Sequence, residues 1–210
     1  MLTGLLHRVV AHPKVYDLAQ TLVGAKAVRR RLAEQVAAAQ RRSATPFVLD
    51  IGGGTGAVGE WLSPAAKYCC LDIDPQKLQG FLNRYPRGSG IQADASRIPL
   101  ADASVDLALC NSVTHHLTDP LLARMISEAA RVLKPTGQLI LTDAILKPTR
   151  WPGRVLWKYD RGSFPRPPQV LRDVIAAHLD VDHWQHFRVW HEYVITVAHP
   201  RGGSNGRGAT

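Results

Sequence analysis

The sequence is poor in sulfur: three cysteines and two methionines in 210 residues. Cys69 and Cys70 adjoin in a predicted strand, so their side chains face opposite ways, and Cys110 lies in another predicted strand. That spacing builds neither a disulfide framework nor a metal site, and it points to a reducing, cytoplasmic setting. Long apolar runs are missing as well. None approaches the ~20 residues of a membrane-spanning helix. Leu5-Leu6 near the start is broken by His7 and Arg8, too short a run for a signal peptide. Acids are in deficit, with 17 Asp and Glu against 26 Lys and Arg, a net charge of +9. The basic runs are Arg29-Arg30-Arg31, Arg41-Arg42 and a scatter from Lys147 to Arg166. They read either as a solvated helix face with a basic tail, or as a surface for nucleic acid, a membrane or an acidic substrate. His183, His186, His191 and His199 lack helical ligand spacing and read as surface or strand residues, so no metal is expected. The length suits one well-filled domain.

What is present centres on Phe47-Val48-Leu49-Asp50-Ile51-Gly52-Gly53-Gly54-Thr55-Gly56-Ala57-Val58-Gly59. An apolar strand runs into glycines, and Val58 to Leu62 can open a helix. Such a turn lets a ligand approach the backbone, and a following helix offers unpaired N–H groups. Gly54-x-Gly56-x-x-Gly59 and Gly52-x-Gly54-x-x-Ala57 both match the dinucleotide fingerprint, a weak signal alone. Asp50 is the sharper feature. A carboxylate at the strand end repels a pyrophosphate but suits S-adenosylmethionine (SAM), which carries an ammonium and a sulfonium and no phosphate. Here the chain resembles the class I SAM-dependent methyltransferases, whose first motif reads much like Leu49 to Gly56. The resemblance is good over about residues 45 to 145 and looser at the ends.

Val15 to Val36 shows helical spacing, and the resemblance places such a helix over the cofactor pocket, with Tyr16 and Asp17 toward the ligand. Lys67 to Leu71 reads as the second strand, ending in Asp72 with Ile73 beside it. Asp72 follows Gly52 by the ~20 residues expected between a glycine turn and a ribose-binding acid. Asp74-Pro75 caps a helix from Gln76 to Asn83. Gly90 to Ala95 is a short third strand and its exit; the resemblance implies that Asp94 and Ala95 read adenine. Ser104 to Asn111 is the fourth strand. Ser112-Val113-Thr114-His115-His116-Leu117 follows at its carboxyl end, where open α/β sheets place ligands. Asn111 to His116 would floor the site, with His115 or His116 as a general base and the other packed. Thr118-Asp119-Pro120 starts a helix that Lys134 to Gly137 stops. Gln138 to Thr142 is the fifth strand, ending at Asp143, and the run from Arg131 to Leu139 is typical of the family.

Ile145 to Pro168 is the least family-like stretch. The resemblance makes it a substrate lid, in which Trp151, Tyr159, Arg161 and Arg166 would suit an apolar or aromatic, anionic acceptor. A helix from Gln169 to Leu179 precedes strands Val181 to Phe187 and Tyr193 to Ala198. Residues 200–210 are Gly-rich and polar, expected to be disordered. The expected fold is α/β: three layers, with a doubly wound, mostly parallel seven-stranded sheet and a C-terminal antiparallel hairpin. Residues 1–44 would be a helical cap and 45–199 the SAM-binding domain, with a lid at about 145–168.

On this reading Asp50, Gly52, Gly54 and Gly56 hold the methionine end, Asp72 and Ile73 the ribose side, Asp94 and Ala95 the adenine, and Asn111 the floor. The cofactor is SAM, its product S-adenosylhomocysteine (SAH), with no metal. Nucleic-acid acceptors are disfavoured: Asn111-Ser112-Val113-Thr114 lacks the Pro-Pro-aromatic motif of amino-directed enzymes, and Cys110 sits inside a strand. A catechol-type metal site would need an acid where Asn111 stands, and the paired-glutamate loop of arginine methyltransferases is absent. A small-molecule acceptor survives. The rivals are an RNA methyltransferase, sustained only by the charge, a non-catalytic SAM-binding partner protein, and a nicotinamide reductase, which Asp50 and the final hairpin oppose. Peripheral membrane contact and a monomer or homodimer stay open.

Overall fold

The computed structural model describes residues 25–146, 164–188 and 192–202. Its strands are β1 (Phe47–Ile51), β2 (Lys67–Asp72), β3 (Ser89–Gln92), β4 (Val105–Asn111), β5 (Leu133–Ile145), β6 (Leu179–Arg188) and β7 (Glu192–Pro200). They form one seven-stranded sheet in the order β3-β2-β1-β4-β5-β7-β6. The first five pair in parallel. β7 enters antiparallel between β5 and β6. This is the α/β sheet with the terminal antiparallel hairpin that the sequence leads one to expect.

Alternation along the strands loads both faces with apolar side chains, so both must be covered. Leu49, Ile51, Cys69, Leu71, Ala108 and Cys110 face one way. Helix α3 (Asp119–Val132) and helix α4 (Pro168–Ala176) cover them with Leu122, Met125, Ile126, Leu171 and Ile175. Val48, Tyr68, Cys70, Leu107 and Leu109 face the other way, beneath Leu32 and Val36 of helix α1 (Ala25–Gln40) and Leu78 and Phe81 of helix α2 (Pro75–Arg84). Cys69 and Cys70 thus fall in opposite layers, as strand alternation requires.

Several boundaries differ from the sequence reading. The helix expected to open at Val58 is a single 3₁₀ turn, Gly59–Trp61. Pro64 stands just beyond it. The side chain of Gln40 takes up the end of the turn, donating to Trp61 O (3.0 Å) and accepting from Ser63 N (2.5 Å). Strand β5 begins at Leu133, directly after α3, so Lys134 to Gly137 belong to the strand and not to a stop. Leu133 pairs with Val105 before a register shift. α4 ends at Ala176, because Leu179 is already in β6. α1 packs against β5 and β7 rather than over a pocket; the part of that helix expected before Ala25 lies outside the described residues.

Arg131, from the family-typical run, is structural. It bonds both Glu128 oxygens, the Asp102 carboxylate and the carbonyls of Ile98 and Leu100. Glu128 also accepts from Ile98 N, which ties the β3–β4 connection to α3. Arg131 holds the Glu128 carboxyl below the usual carboxylate range. Arg131→Met is expected to lower the unfolding free energy by about 1–3 kcal/mol, since several acceptors lose their donor together. Urea denaturation checks this; an unchanged midpoint would refute it.

Strand order reverses between β1 and β4. In an open α/β sheet the crevice beyond those carboxyl ends is where ligands bind.

Candidate functional site

At that crevice the chain leaves β1 through glycines that hold positive φ: +66° at Gly52, +58° at Gly54 and +75° at Gly56. Gly52 N and Gly53 N both donate to Leu71 O, one residue before the end of β2. Gly54 N donates to Asp72 Oδ2 (2.9 Å), and Asp74 N donates to Asp72 Oδ1 (2.9 Å). Asp72 is therefore buried and braces the glycine turn and the start of α2 together. Asp74 caps α2 by accepting from Gln76 N and Lys77 N.

Asp50 lies deeper, 1% exposed, beneath the turn. Its Oδ2 accepts from Tyr68 Oη at 2.7 Å. Tyr68 pairs across from Val48, so Asp50, two residues on, shares its face. Burial raises the Asp50 carboxyl from 3.8 to about 7; the Tyr68 bond opposes this and the Asp72 charge adds to it. Burial and the Asp50 charge push the Tyr68 phenol far above its usual range, so it remains a donor. Burial likewise raises the thiols of Cys69, Cys70 and Cys110, which keeps them protonated and weakly nucleophilic.

A cleft of about 320 Å³ opens above the turn. Five of the expected cofactor residues line it: Gly52, Asp72, Ile73, Asp94 and Ala95. Ile73 is 68% exposed, an apolar side chain offered to the cleft edge. Asp94 also closes a local turn by accepting from Ser96 N (2.7 Å). Asp50, Gly54, Gly56 and Asn111 do not line the cleft. Asp50 lies buried beneath the turn, and Asn111 ends β4 half-buried beside Ser112, whose φ is +57°. Ser112 and Val113, from the stretch expected to floor the site, line it with Leu117 just beyond them, and Lys77 lines it without having been singled out in the sequence.

The histidines part company. His116 is exposed and lines the cleft. His115 is buried, and its Nδ1 meets Asp143 Oδ1. Asp143 is wholly buried and also accepts from Thr114 N (2.6 Å), Thr114 Oγ1 (2.5 Å), His115 N (3.3 Å) and Ala144 N (2.7 Å). Strand pairing could have disclosed this: Asn111 pairs with Thr142, so Asp143 lies one step on, opposite the turn that leaves β4.

Arg166, expected to meet the acceptor, is placed elsewhere. It is 7% exposed and donates to Asp119 Oδ1 (2.5 Å), Thr114 O (2.7 Å), Phe164 O (3.1 Å) and Leu117 O. These bonds occupy its guanidinium within the protein. Tyr16, Trp151, Tyr159 and Arg161 lie outside the described residues, as do residues 203–210 of the tail. Among the described residues no group of three or more His, Cys, Asp or Glu side chains could hold a metal ion. None of their helices is long and apolar enough to cross a membrane.

Residues 49–141 match the family described as "Methyltransferase domain". Over those residues the chain is similar to a methyltransferase domain. It is 30% identical over 118 residues to the malonyl-[acyl-carrier protein] O-methyltransferase of Hahella chejuensis, an alignment covering 54% of this chain and 42% of that one. The chain thus spans less than half the length of the curated relatives it matches. In fold, the chain resembles the geranyl diphosphate C-methyltransferase of Streptomyces coelicolor A3(2), with a TM-score of 0.66 and 12% identity over 81% of this chain and 80% of the other. It equally resembles the [4+2]-cyclase SpnF, with a TM-score of 0.68 and 19% identity over 81% and 80%. Likeness at those identities establishes the fold and no particular chemistry.

Proposed function

We propose that the protein binds SAM in the cleft above the glycine turn and transfers its methyl group to a small-molecule acceptor. One observation carries the choice of cofactor. Two carboxylates, Asp50 and Asp72, flank the glycines at the ends of adjacent strands, while a three-residue 3₁₀ turn stands where a pyrophosphate would need a helix N-terminus. Negative charge without a phosphate cradle favours a cationic adenosyl ligand over a dinucleotide.

Asp72 would take the ribose hydroxyls with the lone pairs left after its two backbone bonds. Ile73 would cover one adenine face, with Asp94 and Ala95 at the ring edge. Methyl transfer is an in-line displacement that needs alignment and the exclusion of water more than proton chemistry. His116 would take a proton where the acceptor has one to lose, and His115 would orient the turn. The acceptor is proposed to be apolar or aromatic and anionic. With Arg166 engaged internally, the cation in this proposal is Lys77, whose stem runs beside Gly54, together with Arg161. Of the two methyltransferases named above, one is named for malonyl-[acyl-carrier protein] and one for geranyl diphosphate; a malonyl group carries a carboxylate and the other a diphosphate, which supports this choice. The likeness to a cyclase supports the second reading, a protein that binds the adenosyl ligand without methyl transfer.

Calorimetry with SAM, SAH and NAD(H) tests the proposal. Micromolar binding of SAM and SAH, none of NAD(H), and at least about a tenfold loss in Asp72→Asn are expected, because a charge-assisted bond to a hydroxyl contributes about 1.5–3 kcal/mol. Tight NAD(H) binding, or adenosyl binding indifferent to Asp72, would reverse it.

A further inference from the structure

The turn Val113–Leu117 carries His116 into the cleft, yet the residues that hold it lie outside the cleft. Asp143 grips the turn from its N–H side, accepting from Thr114 N, Thr114 Oγ1 and His115 N and meeting the His115 ring. Arg166 grips it from the carbonyl side, donating to Thr114 O and Leu117 O, and to Asp119 at the head of α3. The backbone of Phe164 repeats the second grip, since Phe164 N donates to His115 O (2.9 Å) while Phe164 O accepts from Arg166. The turn has no slack against the glycines either: a Cβ on Gly52 would stand 2.6 Å from Val113 Cγ2. Nearly complete burial of both clamping side chains makes these bonds costly to break.

We propose that Asp143 and Arg166 form a two-sided clamp that positions the histidine turn, so that His116 faces the cleft in one orientation. This rests on the reading of the cleft as an adenosyl site. Both are positioning residues, since neither lines the cleft. A scaffolding role alone would change stability; a positioning role also changes the surroundings of the His116 ring and the fit of the ligand. The planar Arg166 fork serves several carbonyls and a carboxylate together, which the point charge of a lysine cannot do.

Nitrogen-15 NMR of the histidine rings in the full chain reads the clamp directly, with His116→Gln assigning the His116 signal. In the wild type His115 is expected as one tautomer, with its proton on Nδ1 facing Asp143, and the His116 signal is expected to shift on adding SAH. Arg166→Lys is expected to keep the fold by circular dichroism, to move or broaden the His116 signal, and to raise the Kd of SAH about five- to tenfold. Should Arg166→Lys fail to fold, Thr114→Val, which deletes only the hydroxyl donated to Asp143, carries the same expectation. A folded variant with an unchanged His116 signal and an unchanged Kd would overturn the clamp. If the wild type binds no SAH, the adenosyl reading fails by itself, and the His115 tautomer and the His116 signal of Arg166→Lys still decide the clamp.

Discussion

Asp50→Asn is expected to stabilise the folded chain above pH 7 while weakening adenosyl-ligand binding about tenfold. The folded state raises this carboxyl from 3.8 to about 7, chiefly by burial. Between those values the folded chain keeps a proton that the unfolded chain has released. For this group stability is therefore greatest below pH 3.8 and falls as the pH rises toward 7. Above that the full penalty stands, roughly 4 kcal/mol. An amide of the same shape never ionises and still accepts from Tyr68, although its NH₂ must find a new partner. The gap in unfolding free energy between variant and wild type is expected to widen by about 2–3 kcal/mol from pH 5 to pH 8. Urea denaturation at the two values measures it. Parallel pH profiles would mean that Asp50 titrates normally. Binding changes in the opposite sense. The ionised carboxylate attracts the cationic ligand, so wild-type SAM affinity is expected to climb from pH 6 to pH 8 relative to that of Asp50→Asn. The comparison cancels the ligand's own titration.

Gly53→Ala is expected to raise the Kd of SAH about 30- to 100-fold, or 2–3 kcal/mol. Gly53 does not have a positive φ; what requires glycine there is close approach. A Cβ would meet Asp50 Oδ2 at 2.4 Å and Asp50 Cγ at 2.5 Å. The carboxylate cannot step aside, being 1% exposed and bonded to Tyr68. The turn must lift instead, at the 1–3 kcal/mol typical of overpacking, and Gly54 N then leaves Asp72. Asp50→Ala in the same chain removes the carboxylate and leaves only its Cβ, 2.9 Å away, so the stability losses of the double variant are expected to fall short of the sum by at least about 1 kcal/mol. Additive losses would show that steric contact with Asp50 is not the reason for glycine at this position.

The pattern of apolar runs and glycines was enough to read the strands, because a parallel strand buried on both faces must be apolar throughout and must leave the sheet at a residue that can turn. Asp72 was legible because its distance along the chain from Gly52 sets its place at the end of β2, whereas Asp94, two residues past β3, was read only through the family resemblance. The 3₁₀ turn at Gly59–Trp61 was legible only in part: Gly59 and Pro64 argue locally against a longer helix, but the side chain that takes up its end, Gln40, is 21 residues from Trp61. Arg166 looked like a substrate cation because its internal acceptors, Thr114 O and Leu117 O, are backbone groups some 50 positions away that no side-chain pattern displays.

The sequence by itself determined the fold class, the glycine turn and the acids at the ends of β1 and β2, since each depends on neighbours within a few residues or on strand period. The tertiary structure decided which histidine enters the cleft, why Asp50 keeps its proton up to about pH 7, and that Arg166 and Asp143 serve the turn. Those outcomes depend on burial and on backbone partners brought together across β4, β5 and the return at Phe164, and a carboxylate or guanidinium has no defined role until its surroundings set its solvation.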